Sequence, residues 1–137
     1  MKSWIWAIIL FFYGYTIGTV LGFGLYHINE IVMWIGIFTL MPVIFIYLVY
    51  LYLKKVNCSK DEAFKETMIL ISFWIFLSFG LDALFYILVF PIIFGTDLNW
   101  TFFIDQSPWI WLSYLLLSGI GYTGFRIFIR AKNNYSN

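Results

Sequence analysis

Asp82 is flanked at four-residue spacing by Ser78 and Tyr86, so on a helix a carboxylate, a hydroxyl and a phenol share one face. Asp82 falls about midway between Glu66 and Asp97 in a long apolar run. At a rise of about 1.5 Å per residue, that is close to the middle of a membrane. An ionised aspartate at that depth costs about 2.5–3.5 kcal/mol on insertion scales, so it must be protonated or held by partners inside a bundle. No Lys or Arg lies at the same depth. Two chemistries follow. The carboxyl can take up and release a proton, or face a cationic ligand in a cavity. Alternatively the stripe only hydrogen-bonds neighbouring helices, worth about 0.6–2 kcal/mol. Tyr15 and Thr19, on the first apolar run, give that helix a semi-polar face expected to meet Asp82 and complete its hydrogen bonds.

Small residues mark close helix contacts. Gly14, Gly18 and Gly22 recur every four residues on the first run, and Ser118, Gly119, Gly121, Thr123 and Gly124 cluster on the last. The first and fourth helices are expected to pack through these faces, unless one ridge serves a contact with a second copy. Pro42 predicts a kink and a freed carbonyl near Phe38, with Thr39 placed to satisfy it. Trp74, inside the third run, predicts packing against another helix rather than stacking on a ligand.

His27, Glu30, Asp97 and Asp105 supply imidazole and carboxylates at the chain's turns and form the weak candidates for a divalent metal. Their spacing matches no metal motif, and polar residues at span ends are ordinarily solvated. Neither a phosphate-cradling loop nor a serine nucleophile elbow is present, so no catalytic residue and no cofactor is assigned. The single Cys58 excludes an intramolecular disulfide. Asn99-Trp100-Thr101 fits the glycosylation pattern but lies too near the expected membrane to be used.

The elements that must position these residues are four apolar spans at about 4–26, 31–53, 67–94 and 108–126, each long enough to cross about 30 Å of hydrocarbon as a helix. Hydrophobic residues make up 63% of the 137 positions and charged ones 11%. Soluble domains average about 45–50% and 25%, so too little polar surface exists for a water-soluble core. The spans lack the alternation of a membrane barrel, and lipid leaves the backbone no other partners. The expected fold is therefore all-α: one transmembrane domain over 1–137, an up-down-up-down bundle of four helices. A charged inner loop at 54–66 and an outer loop at 95–107 connect the spans. Residues 4–26 are read as an uncleaved first span. Pro91 is expected to bend or end the third, and Ser107 with Pro108 to start the fourth.

The eight basic residues, Lys2, Lys54, Lys55, Lys60, Lys65, Arg126, Arg130 and Lys132, all fall in the two tails and the 54–66 loop, whereas Glu30, Asp97 and Asp105 occupy the other connections. The positive-inside rule then puts both termini in the cytoplasm and argues against a dual-topology antiparallel dimer. Trp4 and Trp6 at one end, and Trp34, Trp100, Trp109 and Trp111 at the other, are placed as interfacial anchors. The expected setting is an integral membrane protein, in the cytoplasmic or inner membrane if the source is prokaryotic, with the lipid bilayer and a second copy or another membrane protein as partners. The basic loop is interrupted by Asp61 and Glu62, which does not support nucleic-acid binding. The leading functional expectation is transport or ligand binding through a protonatable Asp82. An accessory subunit of a larger membrane complex is the alternative, and a lipid-modifying enzyme using His27 and the outer carboxylates comes third.

Overall fold

In the computed structural model, which describes residues 1–134, four helices are long and apolar enough to cross a membrane. They are α1 (Trp4–Tyr26), α2 (Glu30–Lys55), a third helical span over Lys60–Phe94 and α6 (Trp109–Asn134). The third span comprises α3 (Lys60–Asp82), a wider π-helical segment (Ala83–Val89) and α4 (Phe90–Phe94). A short α5 (Phe102–Asp105) lies in the connection that follows, and no strand occurs among the described residues. The carboxyl-terminal residues 135–137, read above as part of a cytoplasmic tail, lie outside the described residues.

Local chemistry fixes the ends. Ser3 caps α1 by accepting from the Trp6 amide at 3.4 Å, and Asn29 caps α2 by accepting from Ile31 at 2.7 Å. Ser59 accepts from the Glu62 amide at 3.3 Å and donates to the Glu62 carboxylate at 2.6 Å. With this cap in place, α3 begins at Lys60, inside the stretch expected to be the inner loop. The connection from α2 shrinks to 56–59, closed by Asn57 in the left-handed region at φ 47°. At the far end Gly95, with φ 66°, ends α4.

The three prolines lie in or beside the long helices. Pro42 sits inside a continuous α2, and the Thr39 hydroxyl donates to the Ile35 carbonyl at 2.7 Å rather than to that of Phe38. The fourth long helix starts at Trp109, just after Pro108, and no bond joins the Ser107 hydroxyl to its first turn. The third span continues past Pro91 for three residues and ends at Phe94, and the Ile87 carbonyl, which Pro91 cannot engage for want of an N–H, accepts from the Asn99 amide at 3.3 Å.

Packing runs α1 to α2, α2 to α6 and α6 to α3, with α1 also touching α3. The glycine faces therefore do not bring the first and fourth helices together. A Cβ on Gly14 would lie 2.8 Å from Leu48 Cδ1, and one on Gly18 2.8 Å from Met41 Cε, both on α2. Gly22 is buried and faces Ile37. Gly121 abuts Ile71 on α3, while Gly124 abuts Val49 and the Ile46 carbonyl on α2. Ser118 is exposed rather than packed. Small residues reveal that something approaches closely, not which helix it is. Here side chains of the same chain pack against Gly14, Gly18, Gly121 and Gly124, whereas Ser118, Gly119 and Thr123 are exposed.

Gly124→Ala places its Cβ 2.8 Å from the stiff Val49 Cβ and 3.0 Å from a backbone oxygen, so neither neighbour can yield cheaply. It is expected to destabilise the protein by about 1–3 kcal/mol. Gly119→Ala, which meets open space, should leave the midpoint in place. Equilibrium unfolding of the two variants in mixed micelles checks this, and equal midpoints would refute the close approach.

The core is centred on Trp74, fully buried between α1 and α2. Its Nε1 donates to the Ala7 carbonyl at 3.0 Å, and its ring meets Phe45 edge-on at 5.6 Å. Those contacts account for the indole by helix packing.

Candidate functional site

Asp82 is the last residue of α3, immediately before the π-helical segment. Its two carboxylate oxygens are separately engaged. Tyr15 of α1 donates to Oδ1 at 2.8 Å and Tyr114 of α6 donates to Oδ2 at 2.7 Å. Three helices thus meet through one carboxylate.

Ser78, Asp82 and Tyr86 border one small cavity, although no hydrogen bond joins Ser78 or Tyr86 to the carboxylate. A wide, π-helical turn over residues 83–89 carries Tyr86. Tyr86 instead stacks on Phe102 of α5, with centroids 4.7 Å apart and planes 1° apart. Ser78 is buried and lines a small cavity with Asp82, Tyr15 and Thr19. The Thr19 hydroxyl donates to the Tyr15 carbonyl at 2.9 Å, supporting the helix that carries Tyr15 rather than the carboxylate.

Asp82 borders two cavities. The smaller, of about 160 Å³, lies between Tyr15, Ser78 and Tyr114. The larger, of about 340 Å³, is walled by Phe23, Trp34, Tyr86 and Phe102, with Asn99 and Gln106 adding amides. That volume is at the lower end of the range for small-molecule pockets, about 300–1,000 Å³. Trp34 was expected to be an interfacial anchor. It lines this cavity, and its Nε1 is buried with no hydrogen-bond partner. Such an orphaned donor is uncommon in folded proteins.

Tyr114 and Trp34 are the members that sequence reasoning missed. For Tyr114 a signal existed: Ile110, Tyr114, Leu117, Gly121 and Gly124 recur at helical spacing and are the buried face of α6. A second polar cluster was also missed. Glu66, taken for a loop residue, is 6% exposed and accepts from the Tyr52 hydroxyl at 2.5 Å and from the Lys2 backbone amide. Beside it, Lys2 Nζ meets the Glu62 carboxylate at 2.7 Å, and this ammonium, with the Ser59 hydroxyl, holds Glu62 well below the usual carboxylate range. Lys132 Nζ donates to the Cys58 carbonyl at 2.6 Å, so residues from both ends of the chain converge on the 56–59 turn.

The metal candidates do not assemble. No group of three His, Cys, Asp or Glu side chains able to hold an ion exists among the described residues. His27, Glu30, Asp97 and Asp105 are each exposed, and Asp105 accepts from the neighbouring Thr101 hydroxyl at 2.7 Å. Turn residues that face solvent and bond locally have no reason to converge. No protein-family model, curated protein or solved structure matches this chain.

Proposed function

We propose that this chain is a small integral membrane protein that binds and moves a ligand or a proton through the cavity beside Asp82, with both ends of the chain and the 56–59 turn in the cytoplasm. One observation carries the reading. Space of ligand size adjoins the half-buried carboxylate, whereas a subunit serving assembly alone would be expected to fill that space with side chains. An intramembrane carboxylate next to a cavity is the usual mark of a substrate or proton path. The orientation is supported by the basic residues, which gather at the end where Lys2 meets Glu62 and Lys132 meets the Cys58 carbonyl.

The test is flux in liposomes carrying the purified protein, with an imposed pH gradient and an internal pH dye. The wild-type protein is expected to dissipate the gradient, and Asp82→Asn to slow this by about tenfold or more while remaining monodisperse and helical. Flux no greater than in empty liposomes, or equal flux in the variant, would reject the transport reading.

A further inference from the structure

The larger cavity has a chemical character that names a ligand class. Among the described residues, Asp82 is the only charged one in its wall, and no Lys, Arg or His lines either cavity. Aromatic rings from four separate elements surround the space: Phe23 on α1, Trp34 on α2, Tyr86 on the π-helical segment and Phe102 on α5. Rings present negative faces to a cation and release little solvation energy to a neutral polar solute. The connections nearest this end carry Glu30, Asp97 and Asp105 and no Lys or Arg, so the approach is also negative. The buried Trp34 Nε1 calls for an acceptor oxygen.

We infer that the cavity beside Asp82 takes an organic monocation, an ammonium group seated among the rings and facing the carboxylate, with an oxygen acceptor that satisfies Trp34. This deepens the reading above and rests on it. An inorganic cation would leave the rings without a role, and an anion would meet only repulsion from Asp82. Aromatic cages that exclude water favour alkylated ammonium over a fully hydrated ion. Such a group can come from a free amine in the external solution or from the headgroup of a choline lipid.

Two soluble probes isolate the charge. Choline carries a quaternary ammonium and a hydroxyl, and 3,3-dimethylbutan-1-ol has the same shape and hydroxyl with carbon in place of nitrogen. With the protein in nanodiscs of phosphatidylglycerol, calorimetry is expected to show choline bound about tenfold or more tightly than the neutral alcohol. Asp82→Asn should remove that preference, and Trp34→Phe, which keeps a ring but loses the donor, should weaken choline several-fold.

Phosphatidylcholine added to the nanodiscs distinguishes the sources. Competition with choline assigns the site to a headgroup, and unchanged binding assigns it to a free amine; either outcome keeps the ammonium class. Equal affinity for choline and the alcohol, or no binding of either, overturns the inference. If proton flux still depends on Asp82 in that case, the functional proposal survives it. Loss of both removes both.

Discussion

Tyr15→Phe combined with Tyr114→Phe is expected to destabilise the folded protein by about 2–3 kcal/mol, and adding Asp82→Asn should restore most of that loss. The two hydroxyls are the donors to Asp82, one on each oxygen, at 2.8 and 2.7 Å. Hydrogen bonds to charged groups contribute about 1.5–3 kcal/mol each in soluble proteins. Interhelical bonds in membranes average nearer 0.6 and reach about 1.7, because the dissociated helices also find partners in the bilayer. The upper part of the membrane range applies here, since the double variant leaves a mostly buried carboxylate with no donor at all. Asn in place of Asp82 removes the charge and with it the need for two donors, which is why a triple variant should recover. Reversible unfolding in detergent, arranged as a double-mutant cycle, measures the coupling. Strict additivity, with no rescue by Asn, would mean that the two tyrosines act independently of the carboxylate.

Trp74→Ala is expected to lose about 3 kcal/mol of stability, the largest effect of any single truncation in the chain. The indole is fully buried, touches rings on two helices and donates to the Ala7 carbonyl. In a water-soluble core such a change costs about 3–5 kcal/mol, part of it transfer of apolar surface to water. Lipid chains are as apolar as a protein interior, so that part is largely absent, leaving the void and the lost indole hydrogen bond to set the cost. Trp74→Phe fills more of the void but still loses the bond to the Ala7 carbonyl, and should fall between Ala and wild type. Unfolding midpoints in a denaturant series rank the three proteins. A Phe variant no more stable than the Ala variant would show that the hydrogen bond, not the packing, dominates.

The four spans were legible because lipid imposes a length and an apolarity that few other constraints mimic. Asp82 was legible for the complementary reason, as a lone carboxylate stands out in such a run. Tyr15 could be placed beside it because α1 offers few polar groups at matching depth. Tyr114 was obscured by its setting of Trp109, Trp111 and Ser113, which reads as interface although the helical spacing of Ile110, Tyr114 and Leu117 turns it inward. Glu66 follows Lys60, Asp61, Glu62 and Lys65, so only three-dimensional packing distinguishes it from its solvated neighbours. The partners of the glycine ridges were not legible at all. A missing Cβ is compatible with any helix that approaches, and here α2 and α3 supply the side chains. The wide turn that carries Tyr86 has no marker in the run Ala83–Val89 beyond the proline that follows.

That wide turn separates the third span into two halves whose registers are independent. A regular helix transmits any insertion or deletion along its length as a rotation of about 100° per residue. Residues 83–89 hold a surplus that can absorb one such change, in the manner of an expansion joint. Excising exposed Leu84 would draw the segment back to ordinary helix and swing Tyr86 off Phe102, dismantling one wall of the cavity while the half anchored by Trp74 kept its seat. One end of this span is thus tied to the bundle core, and the other can be reshaped without disturbing it.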